Sequence, residues 1–268
     1  MEKSNNNNDI LVAILAKNKG HCLPLYLKCI YNQTYPKKNI HLYIRTNNNT
    51  DNTNDVIEKW INNVGHEYGS LHYDKSDVDK EIEKYAPHEW NSLRFNILGT
   101  IRQNSILYAL KKGYHYFTAD CDNFIYPNTI EQLYNTGKNV IGPMLCHSNA
   151  YSNYHHCVDE NGYLKNCNHY FDILMRRIRG IIEVDVIHCS YLIRHEILSD
   201  VDYFDDTNSH EYVRFSNNLR RKKIPQFIDN SEEYGYVTFA DNIEDLSNDP
   251  CVTTTRLNDI FQQTKNNY

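Results

Sequence analysis

The sequence predicts an α/β fold in which a mixed central sheet is flanked by helices. Residues 10–15 form a continuous apolar run, which is typical of a strand buried on both faces. Two further strand-like segments follow at residues 40–45 and 71–73, and segments with a helical spacing of apolar residues separate the three strands. This β-α-β-α-β order implies parallel strands with right-handed crossovers and a ligand crevice at their carboxyl ends.

Each later element also has a local signal. Pro24 fits the first turn of the first helix. The apolar side of the longest helix is expected at Ile97, Ile101, Ile106 and Leu110, which recur at helical spacing. The predicted helices cover residues 23–31, 55–64, 95–111, 129–134, 211–221 and 257–263, and the later strands 114–119, 140–145, 181–193 (one long strand or a pair) and 225–228.

The sequence indicates a single domain over residues 10–268, preceded by a disordered lead at residues 1–9. The β-α-β-α-β part and the strands up to about residue 145 would bind a nucleotide. Residues 146–268 begin with a loop-rich stretch up to residue 180 and would form the acceptor side. The length of 268 residues is sufficient for one large α/β domain.

Composition argues against several classes of protein. A net charge of −6 and a pI of about 6.1 leave no strong basic field, which argues against a general binder of nucleic acid or of anionic membranes. The eight cysteines are scattered, without a CxxC pair or zinc-ligand spacing, so mostly reduced thiols are expected. The polar N-terminus lacks a signal-peptide core, and no apolar run reaches membrane-spanning length. We therefore expect a cytoplasmic protein.

Two carboxylates follow the predicted strand at residues 114–119. Asp120 and Asp122 are one residue apart, and side chains with this spacing point to the same side of an extended backbone. Two unpaired carboxylates would repel each other, so they favour a divalent cation that completes its shell with substrate phosphates. The alternative is a strand that ends in an ordinary polar turn, and the spacing alone leaves both interpretations open.

Two further polar loops end strands of the same predicted sheet. The first strand ends in Ala16-Lys17-Asn18, and the second ends in a loop that runs from Asn47 to Asp51. With the Asp-x-Asp after the fourth strand, this order fits the GT-A arrangement of glycosyltransferases. The chemistry it suggests is sugar transfer from a nucleotide diphosphate donor, in which a metal stabilises the charge of the leaving group.

A set of motifs in constant order makes the assignment more specific. Over roughly residues 10–240 the chain resembles the procollagen galactosyltransferases, the collagen hydroxylysine β-galactosyltransferase family. The matching motifs are Val12-Ala13-Ile14-Leu15-Ala16-Lys17-Asn18 with His21, Leu23-Pro24-Leu25-Tyr26-Leu27, Asp51-Asn52-Thr53, His88-x-Trp90 with Arg94, Ala119-Asp120-x-Asp122-Asn123, Pro143-Met144-Leu145, Tyr151-Ser152-Asn153, His188 with Ser190, and Glu233-x-Gly235-Tyr236.

The resemblance implies a GT-A fold, a UDP-sugar donor, Mn²⁺ as the metal and inversion at the sugar carbon. Asp122 would be the main metal ligand, and Asp120 would contact the ribose, the metal or both. The resemblance also raises a metal or donor role for His188, against the default of a core histidine. The residues expected to line the uridine pocket are Ala16, Asn18, Asn47 and Asp51.

On the remaining site residues the sequence leaves alternatives open. Arg102 would reach the ribose or diphosphate, or else be a solvated helix arginine. An inverting transfer needs a general base, and Glu211 at the start of a late helix is the candidate, with Asp205 and Asp206 as rivals. Trp90 would stack on a sugar or simply pack.

The chain also departs from the family. Animal members have two glycosyltransferase-like domains, and the resemblance covers only the first. Ser209-His210-Glu211 stands where the family has Phe-Asp-Asp. Galactose transfer to hydroxylysine of a collagen-like protein is the expectation that the resemblance implies, and these departures bear on both the sugar and the acceptor. Transfer to another glycan or protein acceptor, or nucleotide-sugar binding without catalysis, are the alternatives; the oligomeric state is left open.

Overall fold

Strands and helices alternate along the chain, in a computed structural model that describes residues 8–78, 89, 91–148 and 151–265. The strands are β1 (Ile10–Ala16), β2 (Ile40–Thr46), β3 (Ser70–Asp74), β4 (His115–Ala119), β5 (Asn123–Ile125), β6 (Val140–Pro143), β7 (Cys146–His147), β8 (Tyr151–Ser152), β9 (Tyr154–His155), β10 (Ile181–Val184), β11 (Val186–Ile187), β12 (Ser190–Ile193), β13 (Gln226–Asp229) and β14 (Gly235–Val237). The helices are α1 (Leu23–Tyr31), α2 (Thr53–Val64), α3 (Ser92–Lys112), α4 (Thr129–Asn135), α5 (Asn168–Leu174), α6 (Glu211–Arg221), α7 (Ile243–Asn248), α8 (Pro250–Thr253) and α9 (Leu257–Lys265).

Eight strands of the described chain form one mixed sheet, in the order β10-β13-β6-β12-β4-β1-β2-β3. β1 pairs in parallel with β2 and with β4, and β3 pairs in parallel with β2. β12 runs antiparallel between β4 and β6. The predicted mixed sheet is confirmed, and the last residues of three neighbouring parallel strands, Ala16, Thr46 and Ala119, lie at one edge of it.

Alternate residues of β1 contribute to two hydrophobic cores. Ile10, Val12 and Ile14 belong to the cluster that includes residues of α1, α2 and α9, whereas Leu11 and Ala13 belong to the cluster with residues of α3 and α6. All five side chains are fully buried. Burial on both faces explains why this strand is an unbroken apolar run rather than an alternating one.

The buried face of α3 differs from the predicted one. Ile106 is buried as expected, but Ile97 and Ile101 are only partly buried. Arg102 and Ser105 are buried instead. Apolar periodicity predicted the wrong face because this helix packs polar side chains against polar partners near the edge of the sheet.

The second half of the chain contains more regular structure than predicted. The segment at residues 146–180 contains the short strands β7, β8 and β9 and helix α5. Residues 181–193 form three strands, of which β10 and β12 belong to the central sheet and β11 pairs with β9. Cys189 has a φ of 64°, so the backbone turns sharply just before β12. Helices α7 and α8 were not predicted, since each is too short to show a periodic pattern.

The expectation of mostly reduced thiols is wrong for one pair of cysteines. Cys157 and Cys167 are joined by a disulfide, and a β-bridge between Val158 and Leu164 brings the two ends of this loop together. No motif or spacing in the sequence indicates this pairing, because the proximity of the two cysteines depends on how the loop folds back. The remaining cysteines are free, at positions 22, 29, 121, 146, 189 and 251.

A second, smaller sheet, in the order β5-β14-β7-β8, lies next to the carboxyl end of β4. Gly235 in β14 has a φ of 136°, and a Cβ there would lie 1.9 Å from the carbonyl oxygen of Phe124. Only glycine fits this close approach. After β14, the backbone N–H of Thr238 donates to the carbonyl oxygen of Asp122 at 2.9 Å. The small sheet therefore holds the segment after β14 against the turn that follows β4.

Two predictions concern residues that the structure does not describe. Residues 1–7 of the lead predicted at residues 1–9, and the stacking candidate Trp90 with His88 of the same motif, lie outside the described residues. The end of that lead is ordered, since the amide of Asn39 donates to Oδ1 of Asp9 at 2.9 Å and the N–H of His115 donates to the carbonyl oxygen of Asp9 at 2.9 Å. Among the helices that are described, none combines the length and the apolar composition needed to cross a membrane.

Candidate functional site

Asp120 and Asp122 lie in a tight turn at the carboxyl end of β4. The N–H of Asn123 donates to the carbonyl oxygen of Asp120 at 2.8 Å and closes the turn. The N–H of Asp120 donates to the carbonyl oxygen of Cys189 at 2.9 Å, which fixes the turn against the start of β12. The expected extended backbone between the carboxylates is therefore wrong, because the chain reverses here to enter β5.

Each of these carboxylates has a basic partner. Oδ2 of Asp122 lies 2.8 Å from Nζ of Lys19, and Oδ1 of Asp120 lies 2.7 Å from Nη2 of Arg102. The second oxygen of each carboxylate accepts no hydrogen bond from the described residues, and both side chains are 28% exposed. The premise that these two carboxylates are unpaired is thus wrong, although each keeps one oxygen open to a ligand.

Lys19 was not singled out from the sequence, and the structure shows how it is positioned. Its backbone N–H donates to Oγ1 of Thr53 at 2.8 Å, which ties the loop after β1 to the start of α2. Burial lowers the pKa of the Lys19 ammonium, but the charge and hydrogen bond of Asp122 outweigh it, so that the pKa lies above its ordinary value. A lysine in a polar loop at a strand end was the available signal.

The loops after β1 and β2 are fastened together by polar contacts. The N–H of Asn18 donates to Oδ1 of Asn49, and the N–H of Thr50 donates to Oδ1 of Asn18, both at 2.8 Å. Asp51 accepts from the N–H of Gly20 at 2.9 Å and from the N–H of Thr53 at 3.0 Å. The two loops meet as the sequence predicted, and Asn18 and Asp51 have structural contacts of their own.

The four uridine-pocket candidates differ in exposure. Ala16 and Asn47 are buried, whereas Asn18 and Asp51 are exposed. The amide of Asn47 donates to Oδ1 of Asn48 at 3.0 Å. All four lie at the sheet edge formed by the ends of β1 and β2, and their contact with a nucleotide stays a prediction.

Arg102 joins two acidic side chains from distant parts of the chain. Its guanidinium contacts Asp120, and its Nε lies 3.5 Å from Oε1 of Glu211. Arg102 is only 8% exposed, so the alternative of a solvated helix arginine is wrong. Its Nη1 is buried without a hydrogen-bond partner in the described chain. The pKa of Arg102 lies well above its ordinary value, because burial, which lowers it, is outweighed by the neighbouring carboxylates, Asp120 first.

Glu211 is a buried carboxylate, 6% exposed, in the first turn of α6. Burial raises its pKa above the ordinary value of a glutamate, and the charge of Arg102 opposes that rise. A carboxylate with a raised pKa accepts a proton more readily than an ordinary glutamate does. The rivals are placed differently: Asp205 pairs with Arg214, at 3.7 Å from Nε, and Asp206 is exposed.

His188 lies at the same edge of the sheet but packs among rings. Its ring centroid is 4.9 Å from that of Tyr212 and 5.3 Å from that of His155, and its Nδ1 lies 2.9 Å from Sγ of Cys189. Burial, followed by the charges of His155 and Arg102, holds its pKa well below the ordinary value. The imidazole is therefore neutral.

The structure does not bring His188 together with Asp120 and Asp122 as a set of metal ligands. In the described part of the chain, the His, Cys, Asp and Glu ligand atoms that lie within 4.8 Å of one another as a group of three belong to His147, Asp249 and Cys251. The ring of His188 packs against aromatic neighbours, and its role toward the metal or the donor stays a prediction.

The group of His147, Asp249 and Cys251 is already occupied by contacts within the protein. Oδ1 of Asp249 accepts from the N–H of Cys251 at 2.8 Å and caps α8, and its Oδ2 accepts from the hydroxyl of Thr238. Nδ1 of His147 lies 3.1 Å from the carbonyl oxygen of Val237. These contacts explain the three side chains as a brace for the segment after β14.

Comparison with known proteins identifies the family of this chain. The family model described as "Glycosyltransferase family 25, N-terminal domain" matches residues 7–250. Procollagen galactosyltransferase 2 of Homo sapiens is 28% identical over 255 residues, which are 88% of this chain and 41% of that protein. Inactive glycosyltransferase 25 family member 3 of Homo sapiens is 26% identical over 238 residues, 85% of this chain and 40% of that protein. The chain thus spans about two fifths of the length of these curated relatives.

Solved structures share the fold at low sequence identity. Residues 1–349 of S. aureus TarS in complex with UDP-GlcNAc match with a TM-score of 0.56 at 14% identity, over 87% of this chain and 59% of that chain. GalNAc-T7 with UDP, GalNAc and Mn²⁺ matches with a TM-score of 0.55 at 8% identity, over 92% of this chain and 48% of that chain. The chain belongs to glycosyltransferase family 25, and its fold is that of the GT-A glycosyltransferases.

Proposed function

We propose that this domain transfers a sugar, galactose in the first instance, from a UDP-sugar to a hydroxyl acceptor with inversion at the sugar carbon. The observation that carries the proposal is the meeting of the Asp120–Asp122 turn with the loops after β1 and β2 at one edge of the sheet, in a chain of family 25. Ligands of open α/β sheets bind at the carboxyl ends of the strands.

The donor would lie across this edge, with its uridine against the loops after β1 and β2. Asp120 and Asp122 fit a divalent cation such as Mn²⁺, because each offers one open carboxylate oxygen and hard cations prefer oxygen ligands. Bound there, the cation would supply positive charge to the diphosphate leaving group. Asp120 is held in position for this role by Arg102, at 2.7 Å, and the turn by Cys189.

The acceptor hydroxyl would face Glu211. In an inverting transfer its oxygen forms the new bond to the sugar carbon while the bond to the diphosphate oxygen breaks, and its proton passes to a base. The raised pKa of Glu211 and its burial beside Arg102 support that role. Arg102 would keep Glu211 oriented and ionised until the proton arrives, and so acts as a positioning residue.

The acceptor that the relatives suggest is hydroxylysine in a collagen-like protein, since the matched curated proteins include procollagen galactosyltransferases. Another glycan or protein acceptor at the same donor site is the alternative. Neither a nucleic acid nor a membrane is proposed as a partner, given the net charge of −6.

A second candidate function is nucleotide-sugar binding without catalysis. Two observations favour it: a matched relative is named as inactive, and Ser209-His210-Glu211 stands where the resembled family has Phe-Asp-Asp. Binding of UDP in a protein that releases no UDP from any donor would support this second function.

UDP release from UDP-galactose and UDP-glucose, measured with Mn²⁺ and a hydroxylysine-containing collagen peptide, separates the two functions. For the enzyme we expect release that depends on the peptide and falls about 100-fold in Asp122→Asn, because the cation that would stabilise the leaving group loses a carboxylate ligand, on the scale of losing one stabilising group for transition-state charge. Asp259→Asn, at an exposed position of α9, is the matched control and should keep full activity. Unchanged activity of Asp122→Asn would remove Asp122 from the site.

A further inference from the structure

Lys19 is held firmly in front of Asp122. Besides the contact of its N–H with Thr53, the next residue, Gly20, donates its N–H to Oδ2 of Asp51 at 2.9 Å. A Cβ at Gly20 would lie 1.9 Å from Oδ1 of Asn52, so the loop packs closely on the start of α2. The side chain of Lys19 is therefore carried by a segment of backbone that its contacts with α2 hold in place.

The ion pair with Asp122 differs from an ordinary surface pair. Side-chain exposures are 30% for Lys19 and 28% for Asp122, against 58% and 41% for the pair formed by Lys75 and Glu58 at a similar distance, 2.7 Å. Exposed ion pairs contribute little to stability because water screens them. Partial burial strengthens the attraction between Lys19 and Asp122, so the ammonium is held more firmly at the carboxylate.

The ammonium of Lys19 also has unused donors. A lysine ammonium carries three N–H donors. Asp122 accepts from one, at 2.8 Å, and the described residues accept from neither of the others. Lys19 can therefore bind phosphate oxygens while it contacts Asp122. A divalent cation bound to such carboxylates bridges them to phosphate oxygens in the same way.

We propose that Lys19 is a resident cation of the donor site: it binds the diphosphate of UDP in the absence of a divalent metal, and it competes with a metal for the negative charge of Asp122. This inference rests on the proposed function, because it needs the donor diphosphate to lie at Asp122. It differs from the expectation that Mn²⁺ supplies the positive charge for the diphosphate, because Mn²⁺ would then strengthen donor binding without being required for it.

Titration calorimetry with UDP, in EDTA and in Mn²⁺, tests the inference on the complete chain. We expect wild-type protein to bind UDP in EDTA. Lys19→Met, which keeps the length of the side chain, should weaken that binding about tenfold, as for the loss of one charge-assisted hydrogen bond. Lys19→Arg should retain it, and the control Lys75→Met should match the wild type in both buffers.

A second measurement addresses competition for Asp122 directly. Manganese binding, followed by the electron paramagnetic resonance of the free ion, should be tighter in Lys19→Met than in the wild type, because the metal no longer binds beside an ammonium that neutralises Asp122. Equal manganese affinity in the two proteins would overturn the competition part of the proposal. Circular dichroism of each variant confirms that it is folded.

Failure of this inference can be told from failure of the proposed function. If UDP binds the wild type only with Mn²⁺, and Lys19→Met behaves in the same way, Lys19 is not a resident cation and the transferase proposal stands. If UDP binds in neither buffer, the donor site itself is wrong and both proposals fall.

Discussion

Replacing Arg102 by methionine would remove the guanidinium that joins Asp120, after β4, to Glu211, at the start of α6. The guanidinium is 8% exposed and contacts Asp120 at 2.7 Å and Glu211 at 3.5 Å. The side chain of Glu211 is 8% exposed, so it would be left as an uncompensated buried charge. Removing one member of a buried pair typically costs about 3–5 kcal/mol. Since Asp120 is 28% exposed and water takes over part of its pairing, we expect a loss near the lower end, about 3 kcal/mol of unfolding free energy.

Urea unfolding of Arg102→Met, Glu211→Gln and the double variant measures this interaction as a cycle. The double variant should be more stable than Arg102→Met alone, because the glutamine removes the unpaired charge while keeping the shape of the side chain. We expect a coupling energy of about 2 kcal/mol, within the range found for residues in one network. Arg221→Met, at an exposed position of α6, is the control and should change stability by less than about 0.5 kcal/mol.

The cost should also depend on pH with a fixed sign. Burial already raises the pKa of Glu211, and loss of the opposing charge of Arg102 raises it further. A group with a raised folded-state pKa favours the folded state below its unfolded pKa and loses this contribution as the pH rises through the folded pKa. The defect of Arg102→Met should therefore be small in acid and full at neutral pH. A loss below about 1 kcal/mol, or one that is the same at both pH values, would refute the assignment of a buried charge network.

Two further outcomes follow from the region after β6. Burial, together with the charge of Arg220, lowers the pKa of His155 to about 4 from 6.5, so the folded state favours the neutral imidazole. Urea unfolding should therefore show that the unfolding free energy falls by about 3 kcal/mol between pH 6.5 and pH 4, and His155→Gln should abolish this fall. A His155→Gln variant with the pH profile of the wild type would contradict this. The disulfide between Cys157 and Cys167 closes a loop with a sequence separation of 10 residues, so replacing both cysteines by serine should lower the unfolding free energy by roughly 2–3 kcal/mol. Thiol titration of the denatured, unreduced wild type should find six reactive thiols. Eight reactive thiols would show that the disulfide is absent.

The central sheet was predictable because its signal is local. β1 is apolar at every position because it is buried on both faces, and helices α1 and α6 were predicted with the bounds that the structure has, from apolar spacing within a few turns. Parallel strands that follow one another through helices must end at the same edge of a sheet. The convergence of the loops at Asn18, Asp51 and Asp122 was therefore also within reach of the sequence.

The ion pairs of the site were not predictable, because they join residues far apart in the chain. Lys19 and Asp122 are separated by 103 positions, and neither periodicity nor motif spacing relates them. Sequence reasoning treated Asp120 and Asp122 as unpaired and derived a metal from their repulsion. Arg102 shows the same limit: its position on an amphipathic helix suggested solvent, whereas its carboxylate partners on other elements compensate its burial.

The charges now on the site bear on how a donor could bind. Lys19 and Arg102 face Asp120, Asp122 and Glu211, so the described network has one more acid than base. A UDP-sugar adds a negatively charged diphosphate to this excess of negative charge. Its attraction to the site therefore requires positive charge, either from the lysine and arginine that now pair with carboxylates or from a bound cation. Lys19 can serve with the donors that Asp122 leaves unused, but one positive charge only partly offsets a diphosphate. UDP binding by the wild type in EDTA should accordingly weaken steeply as salt screens that single contact, and Mn²⁺ should strengthen it most at high salt. Salt-independent UDP binding in EDTA would mean that the uridine contacts, and not a cation on Asp122, dominate donor recognition.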